Sequence, residues 1–192
     1  MQQRDIYRIV DRLASGTFEN ELELLKTQAR EVVEHSAIII TGARIWELHP
    51  TEDAYVLRYQ YGMIERIPEE YTVRIDDQPS FAQLTKKRTI VNYETDDVLI
   101  EKGIKLYSAT GVGDLVKRPG GKFYKYAVAF NAPEINQTFF DTINIISSAV
   151  TLRLKEFSGQ TIQRRIQKDL HQAWEIQRSL LPEHEYVFND FH

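Results

Sequence analysis

Apolar residues recur every three or four positions at both ends of this chain, and every second position through much of its middle. Residues 4–14 set Ile6, Val10 and Leu13 on one side of a helix, which Ser15-Gly16-Thr17 breaks. Leu22, Leu25, Ala29, Val32 and Val33 then repeat at helical spacing over residues 18–35, with Thr17 or Asn20 available as the N-cap. At Ala37 the period changes. AIIITGARIWEL is rich in β-branched and aromatic residues, and His49-Pro50-Thr51-Glu52-Asp53 supplies a turn before AYVLRYQYG. In that second run Tyr55, Leu57, Tyr59 and Tyr61 alternate with Val56, Arg58 and Gln60, which predicts a hairpin of two half-buried strands.

Residues 71–75 predict a short third strand, Ser80–Leu84 a short helix entered at Pro79, and Thr89–Tyr93 a brief extended segment. Asp96–Glu101 reads as a helical turn ending at Gly103. KLYSATGVGDLVK and KFYKYAVAFNA form a strand pair around Arg118-Pro119-Gly120-Gly121. In the second strand Phe123, Lys125, Ala127 and Ala129 take one face, and Tyr124, Tyr126, Val128 and Phe130 the other.

After Pro133 the helical period returns as a broad stripe of Phe139, Phe140, Ile143, Ile146, Ala149, Val150 and Leu154. Ile162, Ile166, Asp169, Ala173, Ile176 and Leu180 follow in alternating steps of four and three, a heptad seam that Pro182 ends. At 1.5 Å per residue the seam from Gly159 to Leu180 spans about 32 Å, with Gly159 a candidate joint. Asp169 costs stability in such a seam and would hold a pair poised between registers. A helix that never dimerises accounts for the same residues. Two helices, five or six antiparallel strands with short helices inserted, and one long helix make an α+β domain with helices on one face of the sheet.

Composition narrows the function. Hydrophobic residues are 42% and charged residues 27%, the balance of a globular chain. A net charge of −4 argues against general affinity for nucleic acid or anionic lipid. The absence of cysteine excludes disulfides, thiolate metal sites, cysteine nucleophiles and thioether-linked chromophores. The N-terminal MQQRDIYRIVDRL holds no apolar run for a signal peptide, and Ala37-Ile38-Ile39-Ile40 is far short of the roughly 20 residues a spanning helix needs. A cytoplasmic location without membrane or nucleic-acid partners is the expectation.

No catalytic constellation emerges. Gly111-Val112-Gly113 lacks the following helix of a dinucleotide loop, Gly121-Lys122 lacks the rest of a phosphate loop, and both read as hairpin glycines. His35, His49, His171, His184 and His192 have no metal-ligand spacing. Glu94-Thr95-Asp96-Asp97 lacks the alternation of a calcium loop. His171 lacks the surroundings of a phosphoacceptor, and Lys86-Lys87-Arg88 and Arg164-Arg165 read as solvated faces. The chain itself is expected to be non-catalytic and to hold no cofactor.

Residues 19–157 resemble a GAF domain, with PAS the closely similar rival. The resemblance lies in the paired strands Ala37–Leu48 and Ala54–Gly62, the insert SFAQLTKKRTIVNYETDD, the later hairpin and the closing helix from Gln137. It implies a pocket between the sheet and the inserted segments, with Tyr93, Asp97, Tyr107 and Tyr126 as candidate lining residues for an unknown small molecule or a regulatory protein. Core packing or exposure accounts for each tyrosine equally well. The cyclic-nucleotide pattern of such domains is not evident, and His49 in a turn is a poor haem ligand.

Ala173-Trp174-Glu175-Ile176-Gln177-Arg178-Ser179-Leu180-Leu181-Pro182 resembles the A-x-E-I-Q-x-S-L-L-P signature at the entrance to SpoIIE-like phosphatases, the bacterial branch of the PPM serine/threonine phosphatases. In that family the segment ends a linker helix, so Glu185–Phe191 would begin the first catalytic strand. The Gly-Asp motifs that bind Mn or Mg lie later in the family than His192, so activity would belong to a domain beyond this chain. The resemblance implies residues 1–16 as an N-terminal helix, 17–157 as a sensory domain, 158–182 as a linker helix and 183–192 as the start of a phosphatase domain. The expected function is a sensor, homodimeric through its N- and C-terminal helices, that controls a phosphatase in bacterial signalling. The alternatives are a ligand-free dimerisation domain, or the sensor of a histidine kinase or nucleotide cyclase.

Overall fold

Helix α1 (Gln2–Ser15) stops where the Ser15 hydroxyl turns back onto the Asp11 carbonyl and the Gly16 amide bonds the Arg12 carbonyl. Its buried line is Ile9 and Leu13, with Ile6 and Val10 half-buried beside it, one step round from the predicted face. Asn20 caps α2 (Glu21–His35) by accepting the Glu23 amide at 3.0 Å, and Glu21 and Glu23 favour the positive end of the helix. α2 buries Leu24, Leu25, Ala29 and Val32 together with Gln28 and Glu31. Glu31 takes an ion pair from Arg12 at 2.5 Å, which fastens α1 to α2.

These coordinates of the protein are a computed structural model that describes residues 2–92 and 107–180. Two units are distinguished, Met1–Lys155 and Glu156–His192. In the first, β1 (Gly42–Leu48), β2 (Ala54–Gly62), β3 (Thr72–Arg74), β4 (Thr89–Asn92), β5 (Tyr107–Arg118) and β6 (Gly121–Asn131) form one antiparallel sheet in the order β3-β2-β1-β6-β5-β4. The helix α3 (Pro79–Gln83) is inserted between β3 and β4. The predicted turn at Asp96–Glu101 lies outside the described residues.

Two irregularities correct the sequence-based faces. A bulge shifts the β1–β2 register between Ile45 and Trp46, so that Trp46 lies opposite Leu57 while Ile45 lies opposite Tyr59. One extra residue exchanges the two faces of a strand. Tyr55 therefore packs with Phe81 on one side of the sheet, while Tyr59 and Tyr61 reach Lys26 and Glu34 of α2 on the other. The single alternation expected across Tyr55, Leu57, Tyr59 and Tyr61 does not hold.

The second irregularity falls between Val112 and Leu115 in the β5–β6 pairing. Gly111-Val112-Gly113 lies inside β5 and not in a hairpin loop; Gly113 takes a positive φ of 80° at the bulge, and the turn is made at Pro119-Gly120.

Helix α4 (Gln137–Leu180) is capped by Asn136, whose side chain accepts the Phe139 amide at 3.0 Å. Up to Lys155 it buries Phe139, Ile143, Ile146, Val150 and Leu154, as the stripe predicts. Thr89 of β4 donates to Asn144 at 2.6 Å and Gln28 reaches Ser147 at 3.5 Å, so α2 and this part of α4 share one face of the sheet.

In the second unit the helix passes through Gly159 without a break, so the predicted joint is helical. Ile166 and Asp169 are exposed there, as are Leu170 and Trp174. The side chains of Ile162, Ala173, Ile176 and Leu180 are outside the description. His171 pairs with Glu175 one turn on, an ordinary helix-surface contact. Among the described residues no helix is long and apolar enough to cross a membrane.

Candidate functional site

The face of the sheet away from α2 and α4 has a row of small side chains at its centre. The register sets Arg44 opposite Ala129, Ala129 opposite Ala109, and Ala109 opposite Ile90; one step along, Trp46 faces Ala127 and Ala127 faces Gly111. Methyl groups in the middle of a sheet leave room that larger side chains would fill. Gly111 has its own reason to lack a side chain, since a Cβ there would lie 2.1 Å from the Tyr124 ring.

Loop residues and α3 roof this space. Phe81 stacks on Tyr55 at 4.3 Å between centroids and meets Trp46 edge-on at 5.8 Å. Leu84, Ile67, Tyr71 and Val73 complete the apolar wall. The cavity holds about 50 Å³. An engineered apolar cavity of about 150 Å³ holds benzene, so this one suits a group of a few heavy atoms. Polar atoms are few and placed together: Gln78 donates to the Ser80 hydroxyl at 3.1 Å, which lies 3.0 Å from the Tyr107 hydroxyl.

Arg44 lines the same cavity and is only 2% exposed. Its Nη1 donates to Asn131 Oδ1 at 3.1 Å and its Nη2 to the Glu65 carbonyl at 2.6 Å, while Nε has no acceptor. Among the described residues no carboxylate forms an ion pair with it. Burial lowers its pKa from 12.5 to about 10; repulsion from Arg66 adds to this and the Glu65 charge opposes it. It therefore remains a buried cation at neutral pH, with the Glu65 charge nearby but not in ion-pair contact. Sequence reading passed over it inside AIIITGARIWEL. The signal available there was a lone arginine two residues before Trp46, on the same face of an apolar strand.

Of the residues expected to line a pocket, Tyr107 does so. Tyr126 does not: Ala127, Ala129 and Asn131 face the cavity, which turns Tyr126, Val128 and Phe130 towards the helices. Its hydroxyl donates to Glu21 at 2.8 Å, and Lys125 also bonds Glu21, so Tyr126 ties β6 to the start of α2. Burial raises its pKa, and the bond to Glu21 raises it further. Tyr93 and Asp97, with the acidic run 94–97, lie outside the described residues.

Arg88 corrects another expectation. Lys86 and Lys87 are exposed, but Arg88, between α3 and β4, reaches α4. Its Nη2 donates to the Ser147 carbonyl at 2.9 Å and to Thr151 Oγ1 at 2.7 Å, and its Nη1 to Ser148 at 3.1 Å. Its backbone carbonyl holds the Gly111 amide at 2.8 Å. It is a clasp between the cavity wall and the helix layer, not a solvated charge. His49 caps its own turn, with Nδ1 accepting the Glu52 amide at 3.1 Å. Among the described residues no group of three His, Asp or Glu is placed to hold a metal ion.

No protein-family model matches the chain, and a search of curated proteins finds no relative. Solved structures do match. The GAF domain of an Acinetobacter phosphoenolpyruvate-protein phosphotransferase superposes with a TM-score of 0.59 at 10% identity, over 83% of this chain and 95% of that one. The phycocyanobilin-bound GAF domain of a cyanobacterial phytochrome gives 0.57 at 12%, over 81% and 94%. Residues 122 to 287 of a methyl-accepting chemotaxis protein give 0.54 at 13%, over 79% and 98%. At such identities the likeness establishes the fold: an α+β, GAF-like antiparallel sheet with flanking helices.

Proposed function

We propose that the chain is a non-catalytic sensor module in which occupancy of the cavity beneath α3 is passed through Arg88 to α4, and along α4 to an output domain. The observation that carries this reading is the clasp. Phe81 and Leu84 form the cavity roof, and four residues after Leu84 the Arg88 guanidinium bonds Ser147, Ser148 and Thr151 of α4. A shift of the roof is felt by the helix because both ends of the connection are hydrogen-bonded. The bilin-bound domain and the chemotaxis protein among the similar structures support a sensory role by fold analogy alone. Replacing Arg88 with Ala is expected to raise amide exchange at residues 144–151 about tenfold or more while leaving α2 unchanged; unchanged exchange in α4 would remove the clasp from the mechanism.

The output domain in this reading is a SpoIIE-like metal-dependent serine/threonine phosphatase of a bacterial signalling pathway, on the strength of Ala173–Pro182. Its Mn or Mg would be held outside this chain. The working state is a cytoplasmic homodimer joined along α4. In the first unit Ile145 and Leu152 are exposed and share one heptad position, and in the second Ile166, Leu170 and Trp174 are exposed apolar residues. α1 is a weaker candidate for this interface than its sequence implied, because Ile9 and Leu13 are buried within the chain. Light scattering on residues 1–192 and on residues 1–157 is the test. The longer chain is expected at twice its monomer mass and the shorter at its monomer mass; two monomers would end the dimer reading.

A further inference from the structure

We propose that the cavity beside Arg44 takes a small monocarboxylate with a short apolar tail. The inference rests on the sensor reading only in taking this cavity as the ligand site. Among the described residues Arg44 is the one charged side chain that lines it, and it lies on the row of Ala129 and Ala109 where the space opens. A guanidinium carries five N–H donors in a planar fork that matches a carboxylate. Asn131 and the Glu65 carbonyl take one donor from each terminal nitrogen, and buried Nε has no acceptor. Both acceptors are neutral, an amide oxygen and a backbone carbonyl, so among the described residues no carboxylate meets the guanidinium directly. An isolated buried charge is costly, and a ligand that supplies the missing anion removes that cost.

The rest of the lining sets the ligand's other properties. A single cation in the described lining matches one negative charge better than two. Phe81, Ala109 and Ala127 offer only carbon to the remainder of the ligand. A volume of about 50 Å³ limits that remainder to a short chain. Arg44 also anchors Glu65 and, through that loop, the segment carrying Ile67, so an anion on the guanidinium acts on the same roof that leads to α3.

The test uses the whole chain at pH 7 with sodium acetate, propionate and butyrate, sodium chloride at matched ionic strength, and the neutral amides acetamide and propionamide. At about a hundredfold excess over Kd, the best carboxylate is expected to raise Tm by roughly 5–10 °C. Its amide should bind at least tenfold more weakly. Arg44→Met should abolish the response. Should that variant fail to fold, Ala129→Leu decides, because it fills the space beside Arg44 and leaves the guanidinium in place; it too should abolish the response. The proposal is overturned if no carboxylate shifts Tm beyond the chloride control, if amide and carboxylate bind equally, or if Ala129→Leu still responds. Carboxylate binding with unchanged amide resonances at residues 144–151 would sink the sensor reading and leave the ligand class standing.

Discussion

Phe130→Ala is expected to lower stability by about 3–5 kcal/mol, a fall in Tm of roughly 6–20 °C. Phe130 is fully buried in β6, the strand between β1 and β5, and the register places it opposite Ala43 and Ser108. It points to the helix side of the sheet with Val128 and Tyr126, where Phe139, Ile143 and Ile146 of α4 and Leu25 and Ala29 of α2 are buried too. Neither small neighbour can expand into the space left by a phenyl ring, and the central strands are held by ladders on both edges. The cavity therefore stays open, and the loss approaches the full cost of transfer plus void. Urea denaturation checks it: the midpoint should fall with the slope unchanged. A loss under about 1 kcal/mol would mean that the helices are not packed on β6.

Gly62→Ala is the second large effect, about 2–4 kcal/mol. Gly62 ends β2 with φ at 92°, a conformation that L side chains rarely adopt. A Cβ there would lie 2.4 Å from the Thr41 carbonyl oxygen and 2.7 Å from the Gly42 Cα. Both are backbone atoms, so no rotamer change relieves the overlap. The same carbonyl accepts the Met63 amide at 2.7 Å, and Thr41 donates its own amide to Asn131. Strain at Gly62 therefore opens the end of the ladder that launches the loop carrying Glu65. Gly113→Ala is the control: φ is also positive there, at 80°, but the nearest atom to a Cβ is 3.5 Å away. It should show the conformational cost alone, about 1–2 kcal/mol. Equal losses at the two positions would refute the backbone-overlap argument. Weaker carboxylate binding in Gly62→Ala is expected as well, since Glu65 positions Arg44.

Most of the architecture was legible in the order of periods along the chain. The helical spacing of residues 18–35 and 137–154, the Asn20 cap, the Pro79 helix and the strand hairpins are local consequences of side-chain spacing and backbone preference, and the structure contains each of them. The candidate site was much less legible. Of the two candidate tyrosines described, Tyr107 lines the cavity and Tyr126 faces the helices, a difference that no local pattern states because it needs a reference point outside the strand. Arg44 drew no attention, and Arg88 was read as solvated because flanking lysines suggested a charged surface.

What the sequence by itself determined is what periodicity and chemistry dictate locally: an α+β chain with a helical beginning and end, no cysteine chemistry, and a long C-terminal helix with a heptad pattern. What only the tertiary structure decided is which side chains meet across the sheet. The β1–β2 bulge sends Tyr55 and Tyr59 to opposite faces, and the antiparallel register lines up Arg44, Ala129 and Ala109 from three separate strands. Strand pairing and bulges are set by the packing of the whole sheet, between residues tens of positions apart. No local window contains that information, so the cavity, its buried cation and the Arg88 clasp become visible only when the sheet is assembled.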